Sequence, residues 1–183
     1  GNIFRGMAVA ANGADRVTAD QMGMLGTVIN SLALGDAVER AGARAKVFTS
    51  ASMPTIADTF TARDGRAALA EGKVVICAGG TGNPFFTTDT AAALKAIELE
   101  CEVLLKGTKV DGVYSADPVH NPDATRFDTI GYDEVIARNL RVMDTAAFAL
   151  ARDNRLPIIV YALGASEGLL GVLEGRAPST RVG

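Results

Sequence analysis

Gly79-Gly80-Thr81-Gly82-Asn83-Pro84-Phe85-Phe86-Thr87-Thr88-Asp89 is the stretch on which the fold of this chain turns. The apolar run Val74-Val75-Ile76-Cys77 precedes it. A strand over 73–78 buried on both faces, as in a parallel sheet covered by helices, reads this way. An alanine-rich run follows and predicts a helix over 88–99. In open α/β sheets, ligands lie beyond the carboxyl ends of strands, where this loop falls. Its glycines let backbone amides approach an anion, and the following helix adds the positive end of its dipole. Thr87 and Thr88 add hydroxyls, and Asn83 can both donate and accept, which suits a base or ribose edge. The plainer alternative is a strand-to-helix turn capped by Thr88. The loop is neither a P-loop, lacking the Gly-Lys-Ser/Thr ending, nor a dinucleotide Gly-x-Gly-x-x-Gly fingerprint.

Strands and helices alternate on either side of this loop. Thr18 and Gln21 have capping-box spacing, and Met22, Leu25, Val28, Ile29 and Leu32 form an apolar stripe for a helix over 18–41, stopped by Gly42. That helix carries more apolar surface than one face requires, which suits either a core helix or a subunit contact. A strand over 45–49 and a short helix over 64–71 come next. Downstream, Val103-Leu104-Leu105 is a buried strand ending at Lys106-Gly107-Thr108, and 117–127 is rich in turn formers. Helices over 132–139 and 143–154, a strand over 156–161 and a helix over 166–174 follow, and the tail adds an edge strand. This is one α/β domain with a mostly parallel sheet.

A second polar loop runs from Lys106 to Pro118. It holds Lys106, Thr108, Lys109, Asp111, Tyr114 and Asp117 within a dozen or so positions. Lysines there suit neutralisation of a transferring phosphoryl group, and a ring suits stacking on a purine. A solvated charged hairpin is the alternative. Arg5, in a glycine-bounded loop, suits a phosphate clamp. Asp20, near a helix start, suits the helix dipole or a ribose hydroxyl. His120, the one histidine, lies in the turn-rich segment and is expected in solvent.

A net charge of −3 leaves no basic excess for a nucleic-acid groove. The two cysteines, Cys77 and Cys101, fit neither a disulfide framework nor a zinc site, and no protein metal site is expected. No apolar run reaches the roughly 18 residues of a membrane span, and no signal segment precedes the first element, so a cytoplasmic protein is expected. The chain opens on a glycine-led loop with no strand before it, which reads as an N-terminal truncation.

Gly1-Asn2-Ile3-Phe4-Arg5-Gly6, Asp20-Gln21-Met22-Gly23-Met24-Leu25, the 80–89 loop, Lys109-Val110-Asp111-Gly112-Val113-Tyr114 and Val142-Met143-Asp144 fall in one order and spacing. Together they resemble the bacterial uridylate kinases, from Gly1 to the tail. The resemblance implies the amino acid kinase fold, an αβα sandwich around a mainly parallel sheet. It implies transfer of the γ-phosphate of ATP to UMP in pyrimidine nucleotide biosynthesis, with Mg²⁺ bridging ATP oxygens, by a homohexamer. Thr81, Gly82, Asn83, Pro84, Phe85, Phe86, Thr87 and Thr88 would hold UMP, and Asp20 its ribose. Gly1 and Arg5 would lie by the phosphates between the two nucleotides. Thr108, Tyr114 and Asp117 would bind ATP, Lys106 would stabilise the transferring group and Asp89 would orient lysines around it. Members of the family begin with a strand and a Lys-Leu-Ser-Gly loop, and this chain keeps only the last glycine of their next, Gly-Gly-Gly-Asn, loop. The alternatives are a relative phosphorylating a carboxylate or another phosphate, and a nucleotide-binding or oligomer-forming remnant impaired in catalysis.

Overall fold

The computed structural model describes residues 3, 11, 13–140, 142–164 and 167–183. The backbone forms two compact units, Gly1–Ala91 and Ala92–Gly183.

In the first unit, α1 (Arg16–Arg40) leads into β1 (Ala45–Thr49), β2 (Asp58–Thr59), α2 (Ala62–Ala70) and β3 (Val74–Ala78). The three strands are parallel, in the order β2-β1-β3. The register pairs Ala45 with Val74 and Thr49 with Ala78, so β1 and β3 end level. Ser50 and Gly79 therefore leave the sheet side by side, and the Ser50 N–H donates to the Ala78 carbonyl at 3.0 Å. The two-sided burial expected of β3 is partial. Ile76 and Ala78 are buried, but Val74 is exposed, at one end of the strand order.

α1 departs from expectation twice. Its N-cap is Asp15, whose carboxylate accepts from the Thr18 N–H at 2.8 Å and the Thr18 hydroxyl at 2.9 Å. A carboxylate is a charged acceptor facing the positive end of the helix, so it takes the cap ahead of the threonine. The face turned inward is also not the apolar stripe. α1 packs on β1 and β3 through Ala19, Gly26, Val28, Ser31 and Gly35. At Gly35 a Cβ would come within 3.0 Å of Val47 Cγ2, so small residues set the approach. Of the stripe only Val28 is buried, while Met22, Leu25, Ile29 and Leu32 stay exposed.

α3 (Thr88–Glu98) crosses the boundary between the units. The second unit continues with β4 (Leu104–Thr108), β5 (Thr129–Ile130), α4 (Tyr132–Ala137), α5 (Thr145–Asp153), β6 (Ile158–Ala162), α6 (Gly168–Leu173) and β7 (Ser179–Val182). The sheet order is β4-β6-β7-β5. β4 runs parallel to β6 and β5 parallel to β7, while β6 and β7 are antiparallel. Among the described residues, then, strand pairing is mostly parallel and shared between two sheets. The tail forms β7 as an interior strand instead of an edge, because β5 pairs along its other side. Lys106 to Thr108 belong to β4 and not to a loop, paired residue for residue with Val160 to Ala162. Val113, Val135, Ala147, Phe148, Ala151, Ile158, Val160 and Val182 form the fully buried centre of this unit.

Candidate active site

The glycine-rich loop begins where β3 stops, and three side chains outside it fix its path. The Gly79 N–H donates to Thr27 Oγ1 at 2.8 Å, and that hydroxyl donates back to the Met24 carbonyl of α1 at 2.7 Å. Ser50 Oγ donates to the Gly80 carbonyl at 2.7 Å. Asp20 Oδ2 accepts from the Phe85 N–H at 2.8 Å. Within the loop, the Gly82 N–H donates to the Gly79 carbonyl at 3.0 Å and the Asn83 N–H to Thr81 Oγ1 at 3.1 Å. Gly82 sits at φ +81°, and a Cβ there would press on Ser50 at 3.3 Å, so the turn needs glycine. Phe85 adopts φ 73° without being glycine. Such a residue persists only where its surroundings over-determine it; here Asp20 holds its amide and the Arg16 guanidinium lies 5.3 Å from its ring centre.

Arg16 also donates from Nε to Asp20 Oδ2 at 2.7 Å. Partial burial pushes the Asp20 pKa up, but the Phe85 N–H and Arg16 outweigh it and hold the carboxyl below its ordinary value. Asp20 is therefore an anion at neutral pH that clasps the loop to the first turns of α1. Gly82, Asn83, Phe85, Phe86, Thr87 and Thr88 face solvent around this clasp, with Thr81 and Pro84 half-buried. The cap of α3 is Thr87, whose Oγ1 accepts from the Thr90 N–H at 3.1 Å, and not Thr88. Thr88, the first residue of α3, is exposed. Asp89 is half-buried in the first turn of α3, where a negative charge complements the helix dipole.

In the second unit, Val110, residues 112–118, residues 138–140 and Val142 line a cleft of about 450 Å³. Tyr114 and Asp117 line it. Tyr114 Oη donates to Asp111 Oδ1 at 2.6 Å, which with burial raises the phenol pKa. The Tyr114 backbone bridges Arg126, which donates to the Ser179 carbonyl at 2.7 Å and to Asp128 at 3.1 Å. Asp117 pairs with His120 at 2.8 Å and accepts from the Val119 N–H at 2.9 Å; both hold its pKa low, His120 the more. Thr108 closes β4 by exchanging hydrogen bonds with the Val110 backbone. Lys106 is half-buried in the middle of β4.

Thr81 to Thr88 and Asp20 are thus brought together in one unit, and Tyr114 and Asp117 share a cleft in the other. Gly1 and Arg5 lie outside the described residues. Asp144, from the Val142-Met143-Asp144 motif, caps α5 by accepting from the Ala147 N–H at 2.8 Å. Sequence reasoning missed Thr27, Ser50 and Arg16. Ser50 was findable, because it follows the carboxyl end of a strand beside the loop. Thr27 and Arg16 look like ordinary helix residues, and only the fold places them against the loop.

Residues 1–162 match the amino acid kinase family. The chain is 58% identical over 182 residues to the uridylate kinase of Brucella anthropi, covering all of this chain and 76% of that protein. It is 53% identical over 182 residues to the uridylate kinase of Agrobacterium fabrum, again covering 76% of the relative. Among solved structures, the UMP kinase of Ureaplasma parvum superposes with a TM-score of 0.94 at 35% identity, over 99% of this chain and 77% of that one. The UMP kinase of Bacillus anthracis gives 0.93 at 36% identity, over 99% and 75%.

Proposed function

Because the chain belongs to the uridylate kinases of the amino acid kinase family, we propose that this phosphotransferase moves the γ-phosphate of ATP onto UMP, giving UDP and ADP in pyrimidine nucleotide supply. The observation that carries the proposal is the clasped glycine-rich loop. Thr27, Ser50 and Asp20 hold its backbone, while Asn83, Phe85, Phe86 and Thr88 remain exposed along it. A loop held from behind with its donors and rings outward is suited to grip a nucleotide at small ordering cost.

In this proposal UMP lies along Thr81 to Thr88. Asn83 and the phenylalanines meet the nucleoside, Asp20 the ribose and Thr88 the phosphate at the start of α3, where the helix dipole favours an anion. ATP takes the cleft lined by Tyr114, Asp117 and Leu140, with Tyr114 beside the base and Thr108 and Asp117 completing its contacts. Gly1 and Arg5 attend the phosphates between the two. Phosphoryl transfer asks a protein for positioning and neutralisation of charge, with little covalent work. Lys106 supplies positive charge to the transferring group and Asp89 orients lysines around it. Mg²⁺ enters as part of the substrate, on the oxygens of ATP. Among the described residues no three His, Cys, Asp or Glu side chains converge on one point, and an ion carried mainly by phosphates needs no such cage.

We extend the proposal to assembly and location. The exposed row Met22, Leu25, Ile29 and Leu32 on α1 suits contact with a second copy of the chain within a homohexamer. No described helix is long and apolar enough to cross a membrane, and a cytoplasmic enzyme is proposed. Calorimetric titration with UMP, with AMP as control, followed by an assay of ADP release tests the function. Saturable binding of UMP but not AMP, with ADP released only when both substrates are present, is expected. Equal binding of AMP and UMP overturns the acceptor assignment.

A further inference from the structure

Asn139 sits where α4 has just ended, at φ 51°, and lines the 450 Å³ cleft together with Tyr114. Its backbone closes the helix, with the Asn139 N–H donating to the Ile136 carbonyl at 3.1 Å. Asparagine tolerates this left-handed conformation better than other residues with a side chain, and the turn places this exposed residue at the rim of the cleft. Among the described residues, the other polar side chains lining the cleft have partners in the protein. Arg138 donates to Glu134 at 2.7 Å and lies 5.3 Å from the Phe127 ring centre. Ser115 Oγ accepts from the Thr125 N–H at 3.0 Å, Tyr114 is held by Asp111 and Asp117 by His120. That leaves the Asn139 amide to meet a ligand.

We infer that Asn139 reads the edge of the nucleotide base in this cleft and sets a preference for adenine over guanine. The inference rests on the reading of the cleft as the ATP site. An amide presents a carbonyl acceptor beside an NH₂ donor. The N6 amino group and N7 of adenine present the complementary donor and acceptor, and asparagine meets them through two hydrogen bonds at once. Guanine presents O6 and N7, both acceptors, so the amide carbonyl would face a lone pair. Tyr114, tethered through its hydroxyl and bridged to Arg126, offers a ring held in place for stacking. Leu140 and Val142 supply apolar lining beside it.

The test is Asn139→Gly. Glycine adopts positive φ without strain, so the turn is preserved and the amide alone is removed. Wild-type enzyme is expected to prefer ATP to GTP as phosphate donor. In the variant, kcat/KM with ATP should fall roughly 5- to 150-fold, the range for one paired base contact, with GTP use and the KM for UMP unchanged. An ATP-to-GTP ratio equal to that of the wild type overturns the inference alone. Wild-type protein that binds neither ATP nor GTP in a calorimetric titration overturns the reading of the cleft, and the inference with it.

Discussion

The backbone N–H of Phe85 donates to Asp20 Oδ2 at 2.8 Å across a separation of 65 residues. This bond ties the glycine-rich loop to the start of α1 and holds a non-glycine residue at φ 73°. The same carboxylate oxygen also accepts from Arg16 Nε, and the Arg16 guanidinium carbon lies 5.3 Å from the Phe85 ring centre. The conformation of the loop is therefore decided by residues that sequence patterns assign to a different element. Asp20→Ala removes the acceptor for both donors. A hydrogen bond to a charged group contributes about 1.5–3 kcal/mol, so UMP affinity should fall at least roughly tenfold in a calorimetric titration, with ATP affinity preserved. Equal loss of both affinities would point to a global defect instead.

The same carboxylate makes a prediction about pH. Its folded pKa lies below the ordinary value, so it stabilises the fold fully above the unfolded carboxylate pKa of about 3.9. That contribution is lost as pH falls through the folded value. Wild type and Asp20→Asn should therefore differ in urea stability by a constant amount at pH 6–8 and converge in acid below about pH 4. A difference that grows on acidification would contradict the assignment.

Thr87 and Thr88 are adjacent, yet the structure gives them separate tasks. Thr87 caps α3, and removing such a cap costs about 1 kcal/mol. Thr87→Ala should lower the unfolding free energy by that amount in urea denaturation. Thr88→Ala should leave stability within about 0.5 kcal/mol and weaken UMP binding, since in the proposed site it faces the phosphate. Identical stability losses in the two variants would remove the distinction.

Gly112 fixes the donor cleft from below. A Cβ there would collide with Thr180 Oγ1 and come within 2.9 Å of Arg126 Cδ. Thr180 meanwhile accepts from the Val113 N–H at 2.8 Å and donates to the Phe127 carbonyl. Overpacking so confined a point costs typically about 1–3 kcal/mol. Gly112→Ala should show that loss in chemical denaturation and a weaker affinity for ATP. Unchanged stability would show that the segment relaxes freely.

The α1 row offers a test of assembly. Ile29 is 58% exposed in the middle of it. Ile29→Glu should shift sedimentation toward smaller species while changing protomer stability by no more than about 0.5 kcal/mol. An unaltered oligomer would move the subunit contact elsewhere.

The chain's β1 and β6 were legible because runs such as Lys46-Val47-Phe48 and Ile158-Ile159-Val160 lie between strong breakers, and the glycine-rich loop because its composition is unusual. Helix starts were harder. Asp15 and Thr61 cap α1 and α2 a few residues ahead of the expected starts, each accepting from the amide three residues on, so that Thr18 and Asp64 fall inside the helices. The two-residue strands β2 and β5 have no pattern of their own and exist only as partners of β1 and β7. The stripe on α1 misled for a physical reason. A helix with apolar residues on more than one face gives no sign of which face the sheet takes, and here the small residues won. Likewise the loop residues of the candidate site were visible, whereas Thr27 and Arg16, which shape the loop from α1, depend on long-range contact.

Lys106 bears on the chemistry most directly. It is half-buried in β4, paired through its backbone with Val160, so its position is set by a strand and not by a mobile loop. Strand placement suits a charge that must meet a transferring phosphoryl group without reorganising. Lys106→Met keeps the aliphatic stem packed and removes the charge. The expected result is a kcat roughly 10²- to 10³-fold lower, with UMP and ATP affinities near wild type. Such a split marks an interaction made in the transition state, whereas a raised KM at constant kcat marks uniform binding. Should both affinities fall with kcat little changed, Lys106 serves ground-state binding, and the neutralising charge must come from another residue.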